Sequence, residues 1–320
     1  MFARLRDPYQ RLYIRYTIQL ALNPLNWVDA THWVCAAYAQ LVNRAPTSDE
    51  VNHWNERIRA RPRDRLVLIW LLLTSAEFLR KHPNKRLPVS VTAAAEELHR
   101  ARVQLVRTEL PSAEVIVDLG GACSWSIEGA LLAFGYPHPA REITIFDLPP
   151  DQRMFADTFK YLSAERSEWM EVRPGVRVRY WHRSFVDLDG ISDQSVDLVW
   201  SGETIEHVTR EEARQTIREV YRVLKPGGYF CLDTPNRLVT RLQFPDRWIH
   251  PEHKYEYTPQ ELSQGLQEAG FEVLRMLGIC PMPRSVQQQV FDVTELYVNA
   301  RITDEPENCY LFYVEARKPS

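Results

Sequence analysis

The sequence predicts an α/β fold in which a small all-α N-terminal domain precedes a doubly wound, mostly parallel sheet of seven strands. Apolar positions recur at three-and-four spacing early in the chain, and strand-like runs alternate with helical ones after residue 113. A turn that contains glycine directly follows the first strand-like run. With 320 residues, 45% of them hydrophobic, the chain is long enough to bury a core of this size.

The N-terminal helical prediction covers residues 27–80, where Ser48 is the expected N-cap of a helix. The stretch "KHPNKRLPVS" at 81–90 has two prolines and several charges and is typical of a linker. We therefore expect a helical domain over 1–85, a linker and leading helix over 86–110, and the α/β body over 111–320.

Several positions of the helical part fit a known pattern, namely Tyr38, "LVNRAP" at 41–46, Trp54 and "TSAEF" at 74–78. In these positions the sequence resembles a bacterial domain of unknown function that is related to phycobilisome linkers, although that family usually has glycine where Asn43 stands. The resemblance implies a docking or assembly module, or a homo-oligomer contact, found beside glycan-related functions. A helical cap that only stabilises the body is the alternative.

Seven strand-like runs define the predicted sheet. They are "EVIVDLG" (114–120), "EITIFDL" (142–148), "VRVRYWH" (176–182), "SVDLVWS" (195–201), "YFCLDT" (229–234), "FEVLRML" (271–277) and "CYLFYVEAR" (309–317). Helical stretches separate most of them, which favours parallel strands with helices on both faces of the sheet.

Charge is distributed unevenly along the chain. Residues 1–90 carry 14 Lys+Arg against 7 Asp+Glu, and the remainder carries 25 against 35, so that a basic part precedes an acidic body with a balance of −10. An acidic body argues against nucleic acid as its ligand. No export signal or membrane-length apolar run is evident, so a cytoplasmic protein is expected. The five cysteines are scattered and predict neither a disulfide framework nor a zinc knuckle.

The first strand-like run leads into a candidate cofactor site, "VDLGGACSWS". Asp118 ends the strand, and Gly120, Ala122 and Ser124 form a turn of small residues through which the backbone passes close to a ligand. An acid beside this loop suits a cationic ligand better than a pyrophosphate. Asp147 ends the second run, where a carboxylate can accept both hydroxyls of a ribose. Together the two acids indicate S-adenosylmethionine.

Three further stretches continue this pattern, namely "DQSVDLVW" (193–200), "REVYRVLKPGGYFCLDTPN" (218–236) and "ELSQGLQEAGFEV" (261–273). With them the chain resembles the class I S-adenosylmethionine-dependent methyltransferases, which have a Rossmann-like fold. The resemblance implies that Asp118, Gly120 and Ala122 line the methionine end of the cofactor and that Asp147 holds the ribose. It places Ser184 or Phe185 near the adenine. The remaining expected cofactor contacts are Gly121, Leu148 and Ser201.

A candidate site for the chemistry follows the fourth run, in "SGETIEHVTREE". If residues 203–207 form one helical turn, Glu203, Glu206 and His207 share a face. Thr209 with Glu212 then predicts a capping box for the next helix. Downstream, "HPEHKYEYT" brings His250 and His253 into a loop expected over the same cleft. Carboxylates and imidazoles together could bind a divalent ion such as Mg²⁺ or Mn²⁺.

This Glu-x-x-Glu-His element resembles two metal-dependent families, the plant small-RNA 2′-O-methyltransferases and the ubiquinone-pathway O-methyltransferases. By that resemblance Glu203, Glu206, His207 and His253 are metal ligands and His250 is a candidate base. The alternative is an acid that caps the helix and a histidine that is simply packed.

The function predicted is therefore S-adenosylmethionine-dependent O-methylation, assisted by a divalent metal, of a sugar hydroxyl of a glycan or glycoconjugate. His207, His250 and His253 are the candidate catalytic residues. Three alternatives stand beside it: a metal-independent methyltransferase with His250 or His253 as general base, an RNA 2′-O-methyltransferase, and a non-enzymatic interaction protein with a degenerate cofactor fold.

Overall fold

The computed structural model of the protein describes part of the chain in detail. The described residues are 30–60, 65, 68, 72, 75, 77, 78, 91–123, 126–149 and 166–320. The chain divides into two compact units, Met1–Glu97 and Leu98–Ser320. The predicted linker at 81–90 and the loop residue Ser124 lie outside the described residues.

The first unit contains two described helices that pack against each other, α1 (Ala30–Val42) and α2 (Ser48–Ala60). Their contact follows from apolar side chains at helical spacing, since Trp33 and Leu41 of α1 and Trp54 of α2 are buried. These two helices agree with the helical pattern of the sequence. They cover only part of the all-α domain that it predicts.

The turn between α1 and α2 depends on two local features. Asn43 directly follows α1 with a φ of 51°, a left-handed conformation that asparagine tolerates better than most residues. The N-cap of α2 is Thr47, whose hydroxyl accepts from the backbone N–H of Glu50 while the Glu50 carboxylate accepts from the Thr47 N–H. The expectation that Ser48 is the cap was wrong by one residue.

Helix α3 (Val91–Thr108) leads into a single sheet. Nine strands occur among the described residues: β1 (Val115–Leu119), β2 (Glu142–Asp147), β3 (Arg166–Arg173), β4 (Val176–His182), β5 (Val196–Gly202), β6 (Leu224–Pro235), β7 (Glu272–Pro281), β8 (Ile302–Thr303) and β9 (Cys309–Arg317). Their order in the sheet is β3-β4-β2-β1-β5-β6-β9-β7-β8.

The central strands β4, β2, β1, β5 and β6 are parallel neighbours, whereas β3, β7, β8 and β9 join the sheet through antiparallel pairs. From β1 the chain moves outward to β2 and β4 and then returns, so that β5 lies on the other side of β1. This reversal creates a switch point between β1 and β5, where α/β sheets commonly bind ligands at the carboxyl ends of their strands.

The prediction of seven strands was wrong in number, because the described sheet has nine. All seven predicted runs form strands, and β3 and β8 are the two additions. Strand β3 has the sequence RSEWMEVR, in which charged residues interrupt the few apolar ones and leave no long apolar run. It pairs with β4 through a hairpin at Gly175, whose φ is 76°. Strand β8 has only two residues, too few for a pattern.

Helices connect most of these strands. Those of the body after α3 are α4 (Ala130–Ala133), α5 (Arg210–Val223), α6 (Arg237–Gln243), α7 (Pro259–Glu268), α8 (Pro283–Gln288) and α9 (Val293–Val298). The predicted capping box of α5 is confirmed, because Thr209 and Glu212 exchange hydrogen bonds between side chain and backbone. Helix α7 begins with the same arrangement, formed by Thr258 and Glu261.

The core of the body lies between the central strands and the helices that follow them. Leu119, Val199 and Phe230 from the strands pack in one buried cluster with Ile217 of α5 and Leu266 of α7. In the part of the chain that the structure describes, no helix combines the length and apolar character needed to cross a bilayer.

Candidate active site

Two loops meet at the switch point between β1 and β5. Gly120 follows β1 with a φ of 74°, a conformation that favours glycine. A Cβ atom at Gly120 would lie 2.4 Å from the Oγ1 atom of Thr204, which follows β5. The loop after β1, predicted to bind cofactor, therefore contacts the loop after β5, predicted to carry the chemistry.

Asp118 is the most unusual group on the cofactor side of this contact. Its side chain is only 1% exposed, and its Oδ2 atom has no hydrogen-bond partner among the described residues. Burial, together with the negative charge of Asp147, raises the pKa of Asp118 well above its usual value. A Cβ atom at Gly121 would lie 2.0 Å from that Oδ2 atom, so the carboxylate occupies space that only a glycine at 121 leaves open.

Asp147 ends β2 and holds the loop from the other side. Its carboxylate accepts the backbone N–H of Ala122 at 3.0 Å and that of Leu148 at 2.8 Å. These bonds fix the position of the carboxylate at the carboxyl edge of the sheet. Asp147 and Asp118 thus lie on the neighbouring strands β2 and β1, beside the same turn.

The other predicted cofactor residues lie in different environments. Ser201 is fully buried at the end of β5, and its Oγ atom has no hydrogen-bond partner in the described part of the chain. Leu148 is 41% exposed, as expected of a side chain that a ligand could cover. Ser184 is exposed, whereas Phe185 packs into the hydrophobic core of the body.

These observations fit S-adenosylmethionine. A buried carboxylate oxygen and a buried hydroxyl without described partners suit a cationic ligand with polar groups, because burying such atoms unpaired is costly. The glycines at 120 and 121 keep side chains out of the turn.

The loop after β5 departs from the predicted geometry. A short 3₁₀ helix spans Ile205–His207 only, and Glu203 precedes it with a φ of 47°. The expected single helical turn over 203–207 was therefore wrong, because Glu203 has a left-handed backbone. The Glu203 side chain forms an ion pair with Arg102 of α3 at 2.6 Å, and its backbone N–H donates to Asp233.

Glu206 is fully buried, and only one of its two carboxylate oxygens has a described hydrogen-bond partner. Its Oε2 atom accepts the Thr234 hydroxyl at 2.9 Å, while its Oε1 atom has no hydrogen-bond partner among the residues described. Burial, reinforced by the charge of Glu203, raises the pKa of the Glu206 carboxyl well above its usual value. The negative charge of a carboxylate buried here must be neutralised, either by a bound cation or by protonation.

The downstream histidine loop lies directly over Glu206. The Glu206 carbonyl accepts the backbone N–H groups of Lys254, at 2.8 Å, and Tyr255, at 3.2 Å. The His207 ring centroid is consequently 4.9 Å from that of His253. The loop that carries His253 therefore lies against the turn that carries Glu206 and His207.

The side chains of Glu206, His207 and His253 converge. One potential ligand atom from each lies within 4.8 Å of the other two. His250 is adjacent, with its ring centroid 6.0 Å from that of His207, but it is not part of this group. Burial and the two neighbouring histidines lower the pKa of His207 to about 4, so that its imidazole is neutral at neutral pH.

Several polar residues at this edge were not singled out from the sequence. Arg102 is 8% exposed and pairs with Asp233 at 2.6 Å as well as with Glu203. Glu256, also buried, lies 2.9 Å from His253. The position of Asp233 near the end of a strand-like run could have marked it as a site residue. Arg102 is a single arginine in a helical stretch, and no sequence pattern marks it.

A family model described as "Methyltransferase domain" matches residues 138–232. A protein of Mycolicibacterium smegmatis named "Probable S-adenosylmethionine-dependent methyltransferase" is 39% identical over 103 residues, which are 32% of this chain and 38% of that protein. A protein of the same description from Mycobacterium tuberculosis is 38% identical over 94 residues, or 29% of this chain and 33% of the relative. The chain thus spans little more than a third of the length of these curated relatives.

Among solved structures, a SAM-dependent methyltransferase of Thermotoga maritima is similar with a TM-score of 0.47 and 16% identity, over 76% of this chain and 97% of the other. The family match at 138–232 runs from the approach to β2 through most of β6 and so includes Asp147, Glu203 and Glu206. Residues 138–232 are thus similar to a methyltransferase domain, and the curated relatives that match this chain at 38–39% identity are described as S-adenosylmethionine-dependent methyltransferases.

Proposed function

We propose that the protein is an S-adenosylmethionine-dependent O-methyltransferase assisted by a divalent metal ion, and that its acceptor is a sugar hydroxyl of a glycan or glycoconjugate. One observation carries the proposal. The Glu206 carboxylate is fully buried, one of its oxygens has no hydrogen-bond partner among the described residues, and a carboxylate oxygen of Glu206 lies within 4.8 Å of ligand atoms of His207 and His253. An isolated buried carboxylate is costly, and a bound cation offsets that cost.

The donor set is one carboxylate and two imidazoles. Such a mixed oxygen and nitrogen set suits Mg²⁺ or, better, Mn²⁺. When bound, the ion would lower the pKa of an acceptor hydroxyl and orient it. His207 already has a lone pair available, because the pKa of its imidazole is lowered to about 4 by burial and neighbouring histidines. Glu203 would join as a fourth ligand only if it left Arg102.

Residues of the two loops would align the cofactor with the acceptor hydroxyl. Asp118 and Asp147 would hold the sulfonium end and the ribose of the cofactor, and the contact between Gly120 and Thr204 joins that site to the loop carrying Glu206. In-line transfer needs the acceptor oxygen, methyl carbon and sulfur in one line, and positioning of this kind supplies much of the rate gain. The proximity of the two loops supports such an alignment.

The acceptor class is supported by two features. A three-residue donor set leaves coordination positions for two neighbouring hydroxyls, as a sugar presents them. The positions Tyr38 and Trp54 belong to the helical pattern that resembles a module found beside glycan-related functions, and both side chains are buried in the first unit. We propose this unit as the docking or assembly part of the enzyme.

A metal-independent methyltransferase is the second candidate. His253 is hydrogen-bonded to the buried Glu256 at 2.9 Å, and a histidine oriented by a carboxylate is a common general base. In that case the same imidazole would take the proton of the acceptor hydroxyl without an ion. Chelation distinguishes the two candidates.

The test is a screen of cell extract with methyl-labelled S-adenosylmethionine and the full-length protein, in which labelled products are identified by mass spectrometry. The expected product is an O-methylated sugar. Treatment with EDTA should abolish its formation and Mn²⁺ should restore it, and Glu206→Ala should behave like the chelated enzyme. Glu211→Ala is the matched control, because that carboxylate is 73% exposed on α5.

The outcomes separate the parts of the proposal. Full activity after chelation would exclude the metal and favour His253 as the base. A labelled methyl group on nitrogen or carbon would contradict O-methylation, and a labelled RNA would contradict the glycan assignment.

A further inference from the structure

Glu256 is a buried acid in the loop that carries His253. Its side chain is 1% exposed, and its Oε1 atom lies 2.9 Å from the Nδ1 atom of His253. It has no role in the site as described above except as the neighbour of that histidine. Acids are rarely buried so completely unless their partners require it.

Two further hydrogen-bond donors and a nearby guanidinium hold the Glu256 carboxylate in place. Oε1 also accepts the backbone N–H of Ile249 at 2.7 Å, and Oε2 accepts the Thr240 hydroxyl at 2.5 Å, with the Arg237 guanidinium 3.6 Å away. A backbone N–H can only donate, so the Oε1 atom that faces His253 is an acceptor. The carboxylate therefore presents an accepting oxygen to Nδ1 in a fixed orientation.

An accepting oxygen opposite Nδ1 determines which ring nitrogen of His253 carries the hydrogen. Nδ1 of His253 must carry the hydrogen that Glu256 accepts, so the lone pair of the neutral ring is on Nε2. Since Nδ1 is committed to Glu256, Nε2 is the nitrogen left to face Glu206 and His207, whose ligand atoms lie within 4.8 Å.

We propose that Glu256 is a positioning residue that fixes His253 in the Nδ1–H tautomer and presents its Nε2 lone pair to the centre formed with Glu206 and His207. Carboxylates that hold ligating histidines in this way orient the ring and raise its basicity. The use of Nε2 as a metal ligand rests on the proposed function, whereas the tautomer does not, because a general base at the same position needs the same lone pair.

The first measurement requires no substitution at Glu256. Long-range proton–nitrogen NMR spectra of ¹⁵N-histidine-labelled full-length protein distinguish a protonated ring nitrogen from one with a lone pair. The His253 signals are assigned by their loss in His253→Gln. The expected result is a protonated Nδ1 and an unprotonated Nε2, and a hydrogen on Nε2 of the neutral ring would overturn the proposal.

The second measurement compares Mn²⁺ affinity, followed by electron paramagnetic resonance, across Glu256 variants. Glu256→Ala should weaken binding roughly 10- to 100-fold and redistribute the tautomers, as loss of an outer-shell partner generally does. Glu256→Gln keeps an acceptor for Nδ1 and should retain the tautomer and most of the affinity. Glu252→Ala is the control, because that carboxylate is partly exposed and lies beside the Nδ1 atom of His250 rather than that of His253.

Failure of this inference differs from failure of the proposed function. If wild-type protein binds Mn²⁺ and Glu256→Ala binds it equally well with an unchanged tautomer, Glu256 does not position His253. If wild-type protein binds no Mn²⁺ but shows the Nδ1–H tautomer, the metal proposal fails and the positioning role stands. Should Glu256→Ala not fold, the wild-type spectrum and Glu256→Gln still decide the question.

Discussion

Replacing Gly121 with alanine should disable the cofactor site by displacing one carboxylate. The added Cβ atom would lie 2.0 Å from Oδ2, 2.1 Å from Cγ and 2.5 Å from Oδ1 of Asp118. Backbone strain plays no part, because the φ of Gly121 is outside the left-handed region. Asp118 is 1% exposed, so it cannot move into solvent without rearrangement of the turn.

The expected loss of affinity for S-adenosylmethionine follows from the loss of its interaction with the Asp118 carboxylate. An interaction between a charged group and its partner contributes about 1.5–3 kcal/mol. At about 1.4 kcal/mol for each tenfold change, S-adenosylmethionine should bind roughly 10- to 150-fold more weakly. Overpacking of the turn should also lower the free energy of unfolding by about 1–3 kcal/mol.

The assay is isothermal titration calorimetry with S-adenosylmethionine, supported by urea denaturation. Gly265→Ala is the matched control, since the added Cβ atom on α7 would meet no described atom within 4 Å other than those of its chain neighbours and the backbone of its own helix; it should leave binding unchanged and stabilise the helix by about 1 kcal/mol. Asp118→Asn should lose affinity without added bulk. Wild-type affinity in a folded Gly121→Ala protein would refute the assignment of Asp118 to the cofactor.

Three further results are expected. Arg102→Ala leaves a fully buried carboxylate at the end of β6 unpaired and should lower the free energy of unfolding in urea by about 3–5 kcal/mol; a loss below about 1 kcal/mol would contradict this. Because burial raises the pKa of Asp118, cofactor binding at mildly acidic pH should release a proton. The calorimetric binding heat should then depend on the ionisation enthalpy of the buffer, and this dependence should vanish as the pH rises above that pKa; binding heats that are independent of the buffer at every pH would contradict this. Thr234→Val removes the donor to Glu206 and should weaken Mn²⁺ binding about 10-fold, whereas Thr216→Val, which removes a hydroxyl bonded to a helix carbonyl, should not.

The parallel centre of the fold could be predicted from the sequence because its strands are buried on both faces and read as apolar runs. Strand β3 could not be predicted in this way. It lies at the edge of the sheet, and charged residues interrupt its apolar ones, so that no apolar run marks it. The N-cap of α2 was predicted one residue too late, at Ser48 instead of Thr47. Both residues have a hydroxyl that can cap a helix, so residue type alone does not decide between two such neighbours.

In the candidate site, spacing predicted that Glu206 and His207 share one turn, and the two histidines of "HPEHKYEYT" indicated the loop that covers them. The position of Glu203 depended on a left-handed backbone and on Arg102, which lies about a hundred residues earlier in the chain. Contacts of this range leave no local pattern, so the diversion of Glu203 toward Arg102 could only be found in the structure.

Both candidate mechanisms depend on the cofactor edge formed by Asp118 and Asp147, because each needs a bound methyl donor. Titration of S-adenosylmethionine into the full-length wild-type protein, followed by calorimetry, tests it directly. We predict one molecule bound per chain with a dissociation constant in the micromolar range, and competition by S-adenosylhomocysteine. Absence of binding by folded protein, with and without Mn²⁺, would contradict the account.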